Sequence, residues 1–230
     1  MPGRTLFVTG TDTGVGKTVV TALLVRHFRH SGIAVAALKP LCSGGRGDAR
    51  VLRAAVGRAL TLDEINPWHF RAPLAPLLAA RREGKRVRLG AVLEYVRSIG
   101  KRFELVLVEG AGGLLSPLGE DFNARDLIGA LRATPIIVCP NRLGAVNQTL
   151  LTMAALPRSV GRRAQVVLAA PSETDEASRT NQALLGECLR RTQIHILPWL
   201  RPAQDWRQTL KDKRVNALLA GLLQDLSKPD

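Results

Sequence analysis

Gly10-Thr11-Asp12-Thr13-Gly14-Val15-Gly16-Lys17-Thr18 joins an apolar run, residues 4–9, to a helical pattern at residues 18–30. Glycines let backbone N–H groups turn toward phosphate oxygens, Lys17 adds a cation, and the Thr18 hydroxyl is suited to a Mg²⁺ ion. Strand, glycine-rich loop and helix in that order predict a phosphate-binding loop, with Thr13, Gly14, Val15, Gly16, Lys17, Thr18 and Val19 against a nucleotide. The spacing is a variant. The strict pattern puts four residues between its first glycine and the glycine before lysine, and Gly10 lies one residue further back.

Working outward, a Mg²⁺ ion held by one hydroxyl needs carboxylates. Glu109 follows the apolar run 105–108, where the metal-directed acid of such an enzyme belongs, Gly110, Gly112 and Gly113 keep the turn behind it thin, and Glu109, Gly110, Ala111 and Gly112 are expected against the nucleotide. Asp48 lies in a loop ahead of residues 49–53 and suits a metal ligand or a helix cap equally well. Lys39 closes the apolar run 33–38, where α/β sheets carry site residues, although a lysine there also serves as a solvated strand end.

The rest of the chain repeats the alternation. Strands are expected at 135–139, 165–169 and 194–197, helices at 48–59, 89–99 and 145–156, and a terminal helix with a frayed polar end at 211–230. Loops are expected at 41–47 and 140–144, and prolines interrupt residues 67–76. The expected fold is α/β of the P-loop type, a mostly parallel, doubly wound sheet with helices on both faces. With no repeat, low-complexity linker or boundary, residues 1–230 are expected to form one domain.

Composition narrows the function classes. Apolar residues make up 46% of the chain and aromatics 4%, so the core must be built from Val, Leu, Ile and Ala, as in buried parallel strands. No apolar run reaches the roughly 18 residues that span a bilayer, and the amino terminus lacks a signal-peptide cleavage site, so a cytoplasmic location is expected. Cys42, Cys139 and Cys188 are widely spaced and read as reduced thiols. His27, His30, His69 and His195 lack metal-ligand spacing and are expected to be non-catalytic. The net charge of +14, with 26 arginines, raises a nucleic-acid partner. Its cations are scattered, with little aromatic interleaving and no basic tail, which favours solvated faces and attraction of anionic substrates instead.

GTDTGVGKT at 10–18, KPLCSG at 39–44, VEGAGGLLSPL at 108–118, RLGAVNQ at 142–148 and LPWL at 197–200 follow one another at the spacing of a known family. In these segments the chain resembles the dethiobiotin synthetases. The resemblance implies an ATP- and Mg²⁺-dependent ligase of biotin synthesis. Diaminopelargonate takes up CO₂ as a carbamate, the γ-phosphate is transferred to it, and the neighbouring amine closes the ureido ring, expelling phosphate. It further implies that Lys17 binds the phosphates, that Thr18, Asp48 and Glu109 organise Mg²⁺, and that Lys39 stabilises the carbamate and the moving phosphoryl group. Ser43 would contact the substrate. Leu143, Gly144 and Asn147, at a helix start, would hold the substrate carboxylate across a homodimer interface. Pro198, Trp199 and Leu200 would cradle the base.

Two positions depart from the family. It commonly has an acidic residue where this chain has Gly14, and an Asn that reads the adenine edge where this chain runs Ala169-Ala170-Pro171. The alternative is a partitioning-type ATPase that binds DNA or a surface. Such proteins usually carry a second lysine early in the phosphate loop, and residues 11–13 here are Thr-Asp-Thr.

Overall fold

The computed structural model describes residues 4–201 and 206–226. Its first half comprises β1 (Arg4–Gly10), α1 (Lys17–His30), β2 (Val35–Leu38), β3 (Leu41–Ser43), α2 (Gly47–Val56), α3 (Leu62–Ile65), β4 (Trp68–Phe70), α4 (Pro76–Arg82) and α5 (Leu89–Gly100). Then follow β5 (Leu105–Glu109), α6 (Ala124–Leu131), β6 (Thr134–Pro140), α7 (Ala145–Ala155), α8 (Arg158–Gly161), β7 (Gln165–Ala169), α9 (Glu176–Cys188), β8 (Ile194–Leu197), α10 (Trp206–Thr209) and α11 (Lys213–Leu226).

Six strands form one sheet in the order β2-β5-β1-β6-β7-β8, and every pairing is parallel. All six carboxyl ends therefore meet along one edge, where doubly wound sheets bind ligands. Successive residues Leu6, Phe7 and Val8 of β1 and Val106, Leu107 and Val108 of β5 are all buried, so helices cover both faces of the sheet and the strands show no apolar–polar alternation. Among these helices α1 packs on α2 and β2, α5 on β5 and α6, and α11 on β8. None of the described helices is long and apolar enough to cross a membrane.

The doubly wound architecture agrees with expectation, and the differences are local. Residues 41–47 are not wholly loop, because β3 pairs in parallel with β4 inside the proline-interrupted stretch. Two three-residue strands are too short to give a periodicity; they are held in place by Trp68 N–H donating to Pro40 O and Gly44 N–H to Phe70 O. The helix expected from Asp48 starts at Gly47 and ends at Val56, followed by a 3₁₀ turn, Gly57–Ala59. The frayed end expected at the carboxyl terminus falls on residues 227–230, outside the described residues.

Candidate active site

β1 runs between β5 and β6 and delivers the glycine loop to the centre of the ligand-binding edge. Thr11 N–H donates to Val138 O of β6, and Gly16 turns the chain into α1 with φ of 100°, a left-handed value that favours glycine. No side chain caps α1, and its first turn carries no acid, so its amino-terminal N–H groups and positive dipole end remain available to an anion. Lys17 opens that helix, is buried, and donates through Nζ to Asp12 O at 2.7 Å. Burial, reinforced by the nearby charge of Lys39, lowers its ammonium to a pKa of about 8.

The second half of the site comes from β2 and β5. Leu38 pairs with Val108, so Lys39 and Glu109 leave neighbouring strands side by side. Lys39 Nζ lies 2.6 Å from Glu109 Oε1 and 2.6 Å from Asp48 Oδ2, while Thr18 Oγ1 donates to Glu109 Oε1 at 2.7 Å. Burial alone would lower the Lys39 pKa, but the two carboxylates outweigh it and raise it. Burial works against the Asp48 carboxylate too, and there the Lys39 ammonium prevails and lowers the pKa. Asp48 sits in the first turn of α2 and makes no cap hydrogen bond, so it is not a helix cap. Lys39 is not a solvated strand end either, being 4% exposed.

Asn66, which sequence reasoning missed, fixes this lysine's backbone. Its side-chain amide donates to Lys39 O and Pro40 O from a fully buried position, while Lys39 N–H donates to Ile65 O. No spacing rule points to such a residue.

The donor set suits a hard divalent cation: one hydroxyl, two carboxylates, and a Glu109 Oε2 that is buried with no hydrogen-bond partner. An orphaned buried acceptor costs about 1–3 kcal/mol, which a ligand would recover. Among the described residues no three His, Cys, Asp or Glu side chains form a metal-holding group.

A cavity of about 670 Å³ lies over these groups. It is lined by Thr13, Gly14, Val15, Gly16, Lys17, Thr18 and Val19, by Lys39, Ser43 and Asp48, and by Ala111 and Gly112; Glu109 and Gly110 stand directly behind the last two. The structure adds Cys42, Ser116 and the segment 73–76. Ser43 Oγ donates to Leu74 O across the cavity wall, so the prolines that interrupt the pattern there form part of the wall itself. Cys42 is buried, its thiol donating to Gly45 O and its pKa raised by burial. On the other face of the phosphate loop, a cavity of about 410 Å³ is lined by Thr11, Asp12, residues 113–116 and Leu151, Thr152 and Ala155 of α7. Thr11 Oγ1 is buried there without a partner.

Pro198 and Leu200 flank an exposed Trp199 in a larger cavity of about 1080 Å³ that also contains Ala170 and Pro171. It neighbours the phosphate loop, since a Cβ on Gly16 would lie 3.8 Å from that of Ala169. Leu143, Gly144 and Asn147 line none of these three cavities. They stand exposed at the start of α7, where Gly144 has φ of 90° and no side chain caps the helix.

A family model described as an AAA domain matches residues 4–206. The ATP-dependent dethiobiotin synthetase of Anaeromyxobacter sp. strain Fw109-5 is 41% identical over 226 residues, covering 96% of this chain and 99% of that protein. The chain belongs to the dethiobiotin synthetase family. The synthetase of Akkermansia muciniphila is likewise 39% identical over 185 residues, 80% of this chain and 87% of that protein. Among solved structures, the MinD cell division protein of Aquifex aeolicus superposes with a TM-score of 0.64 over 99% of this chain and 98% of its own, at 14% identity. At that identity the likeness is one of fold. Family membership gives an ATP-dependent enzyme, and the partitioning-type reading retains only the shared architecture.

Proposed function

We propose that the enzyme closes the ureido ring of dethiobiotin from 7,8-diaminopelargonate and CO₂ at the expense of ATP, with Mg²⁺, releasing ADP and phosphate. Beyond the family, the observation that carries this reading is the Lys39 ammonium, buried between Glu109 and Asp48 beside the phosphate loop. A nucleotide-hydrolysing switch has no need of a buried lysine at that strand end. A ligase that must hold an anionic carbamate against a triphosphate does.

One amine of the substrate attacks CO₂ and loses a proton, forming the carbamate. A carbamate oxygen then attacks the γ-phosphorus and ADP departs, leaving a carbamic-phosphoric anhydride. The second amine attacks the anhydride carbon, phosphate leaves, and the ring closes.

Such a transfer requires positioning and charge neutralisation more than covalent participation. The free N–H groups at the start of α1 and the ammonium of Lys17 hold the phosphates. Lys39 neutralises the carbamate and the oxygens of the moving phosphoryl group, and its burial raises the worth of that charge. Thr18, Asp48 and Glu109 would hold Mg²⁺, which would supply Lewis-acid neutralisation of the phosphate charge. Ser43 contacts the substrate, and Pro198, Trp199 and Leu200 cradle the base.

The substrate carboxylate is taken by the turn Leu143, Gly144 and Asn147 of a second copy, in a homodimer. Two observations support that assembly. Leu143 and Leu151 are 80% and 63% exposed, and the start of α7 has uncapped N–H groups with no acid in its first turn. Dependence on ATP supports a cytoplasmic location.

Incubation with ¹⁴C-bicarbonate, ATP and Mg²⁺ tests the reading. Acid-stable radioactivity that requires both ATP and the diamine is the expected result, whereas label that remains acid-labile with both present excludes ring closure.

A further inference from the structure

The seat between Glu109 and Asp48 already holds a positive charge. Lys39 Nζ is 2.6 Å from an oxygen of each carboxylate, about as near as an ammonium approaches. Glu109 is 1% exposed, so taking the ammonium away with no replacement would strand a buried carboxylate, one of the costlier events in a protein interior.

Taking the assignment of Thr18, Asp48 and Glu109 as metal ligands from the proposed function, we propose that Lys39 stands in for the divalent cation in the nucleotide-free enzyme. It closes the seat to free metal, and metal enters only together with nucleotide phosphates. Lys17, Lys39, Asp48 and Glu109 leave this part of the cavity neutral. A free divalent cation added to it would bring two uncompensated charges into a half-enclosed space. A metal–triphosphate complex carries its own negative charge. Its oxygens offer Lys39 new partners as the metal takes over Glu109 and Asp48, and they draw Lys17 from the Asp12 carbonyl in the same event.

The exchange needs little movement. The backbone of Lys39 is pinned by Ile65 and Asn66, so the four-carbon side chain swings while the strand end stays fixed. Glu109 Oε2, buried and unpartnered, is the acceptor that Lys39 leaves unused and the incoming metal can take. The swap also delivers the Lys39 ammonium to the transferred group only once the nucleotide is loaded, which keeps the site inactive beforehand.

Mn²⁺ is the probe, followed by the paramagnetic resonance signal of the free ion and by water-proton relaxation. The measurements use the wild type and Lys39→Met, each with and without the β,γ-imido analogue of ATP. Wild type is expected to retain Mn²⁺ only when the analogue is present. Lys39→Met is expected to bind Mn²⁺ alone about tenfold more tightly than wild type, or better. Equal Mn²⁺ binding by the two proteins without nucleotide, tight or absent, overturns the stand-in role but leaves the metal assignment intact. If Asp48→Asn and Glu109→Gln leave Mn²⁺ binding with the analogue unchanged, the metal assignment falls and the stand-in role with it. Should Lys39→Met not fold, thermal melting of wild type decides. No rise with Mn²⁺ alone and a clear rise with Mn²⁺ plus analogue supports the stand-in, and a rise with Mn²⁺ alone overturns it.

Discussion

The Lys39 ammonium lies 2.6 Å from Oε1 of Glu109, an ion pair that ties together the carboxyl ends of two neighbouring parallel strands. The parallel register of β2 and β5, with Leu38 opposite Val108, brings the two residues side by side. The fold thus places a buried cation and a buried carboxylate at the carboxyl edge of the sheet, beside the glycine loop.

Glu109→Gln keeps the shape of the side chain and removes its charge. Lys39 then retains only the half-exposed Asp48, and the Thr18 hydroxyl loses a charged acceptor. Stability should fall by about 1–3 kcal/mol in urea unfolding, and kcat by about 100-fold or more. A kcat within about threefold of wild type would remove Glu109 from the chemistry.

Gly14 adopts φ of 73°, and a Cβ there would meet nothing within 4 Å. Gly14→Glu, which restores the acid common in the family, should therefore cost about 1 kcal/mol through backbone strain alone, with no steric clash. Thermal melting measures the cost. A loss as large as a core cavity, about 3 kcal/mol, would show that the loop packs differently.

Ala170 follows β7 and lines the cavity next to Trp199. Its N–H is already committed to Leu197 O at 2.9 Å, and its methyl offers no hydrogen bond to a base. Ala170→Asn supplies an amide able to pair with both edge atoms of adenine. The ratio of kcat/KM for ATP to that for CTP should rise about tenfold. An unchanged ratio would place base recognition elsewhere.

If α7 joins two copies, a charge on its exposed apolar side should part them. Leu151→Glu is expected to shift the protein from dimer to monomer in light scattering, without loss of helix content by circular dichroism. A variant that remains dimeric would assign the interface to another surface.

Glu64 accepts from Thr61 N–H at 2.8 Å and pairs with Arg102 at 2.7 Å, and these contacts hold its carboxyl at a pKa of about 2. A carboxyl held below its unfolded value stabilises the fold above that value and loses the contribution as pH falls toward 2. Because the side chain is partly exposed and its ion pair is screened by solvent, Glu64→Gln should cost less than about 1 kcal/mol at pH 7, shrinking to nothing near pH 2. An equal cost at both pH values would mean that packing, not charge, is lost.

The glycine loop, Lys39 and Glu109 were legible because each follows an apolar run that only a buried strand explains, and parallel topology then brings such ends together. Ser43 was legible only through the resemblance. What escaped notice lacks a periodic signature. α9 buries Ser178 and Asn181 alongside Leu185, so it has no apolar stripe to find. α6 is eight residues long, though its Asn123–Asp126 capping box was a usable sign. Asn66, and the wall that Leu74 builds around Ser43, arise from tertiary contacts across 27 and 31 residues, which no local pattern encodes.

Phosphate release by the purified enzyme with ATP, Mg²⁺ and bicarbonate, with and without diaminopelargonate and alongside Lys39→Ala, tests the assignment most directly. Release that requires the diamine and falls by about 100-fold or more in Lys39→Ala is the predicted result. Release indifferent to the diamine, or undiminished in the variant, would contradict it.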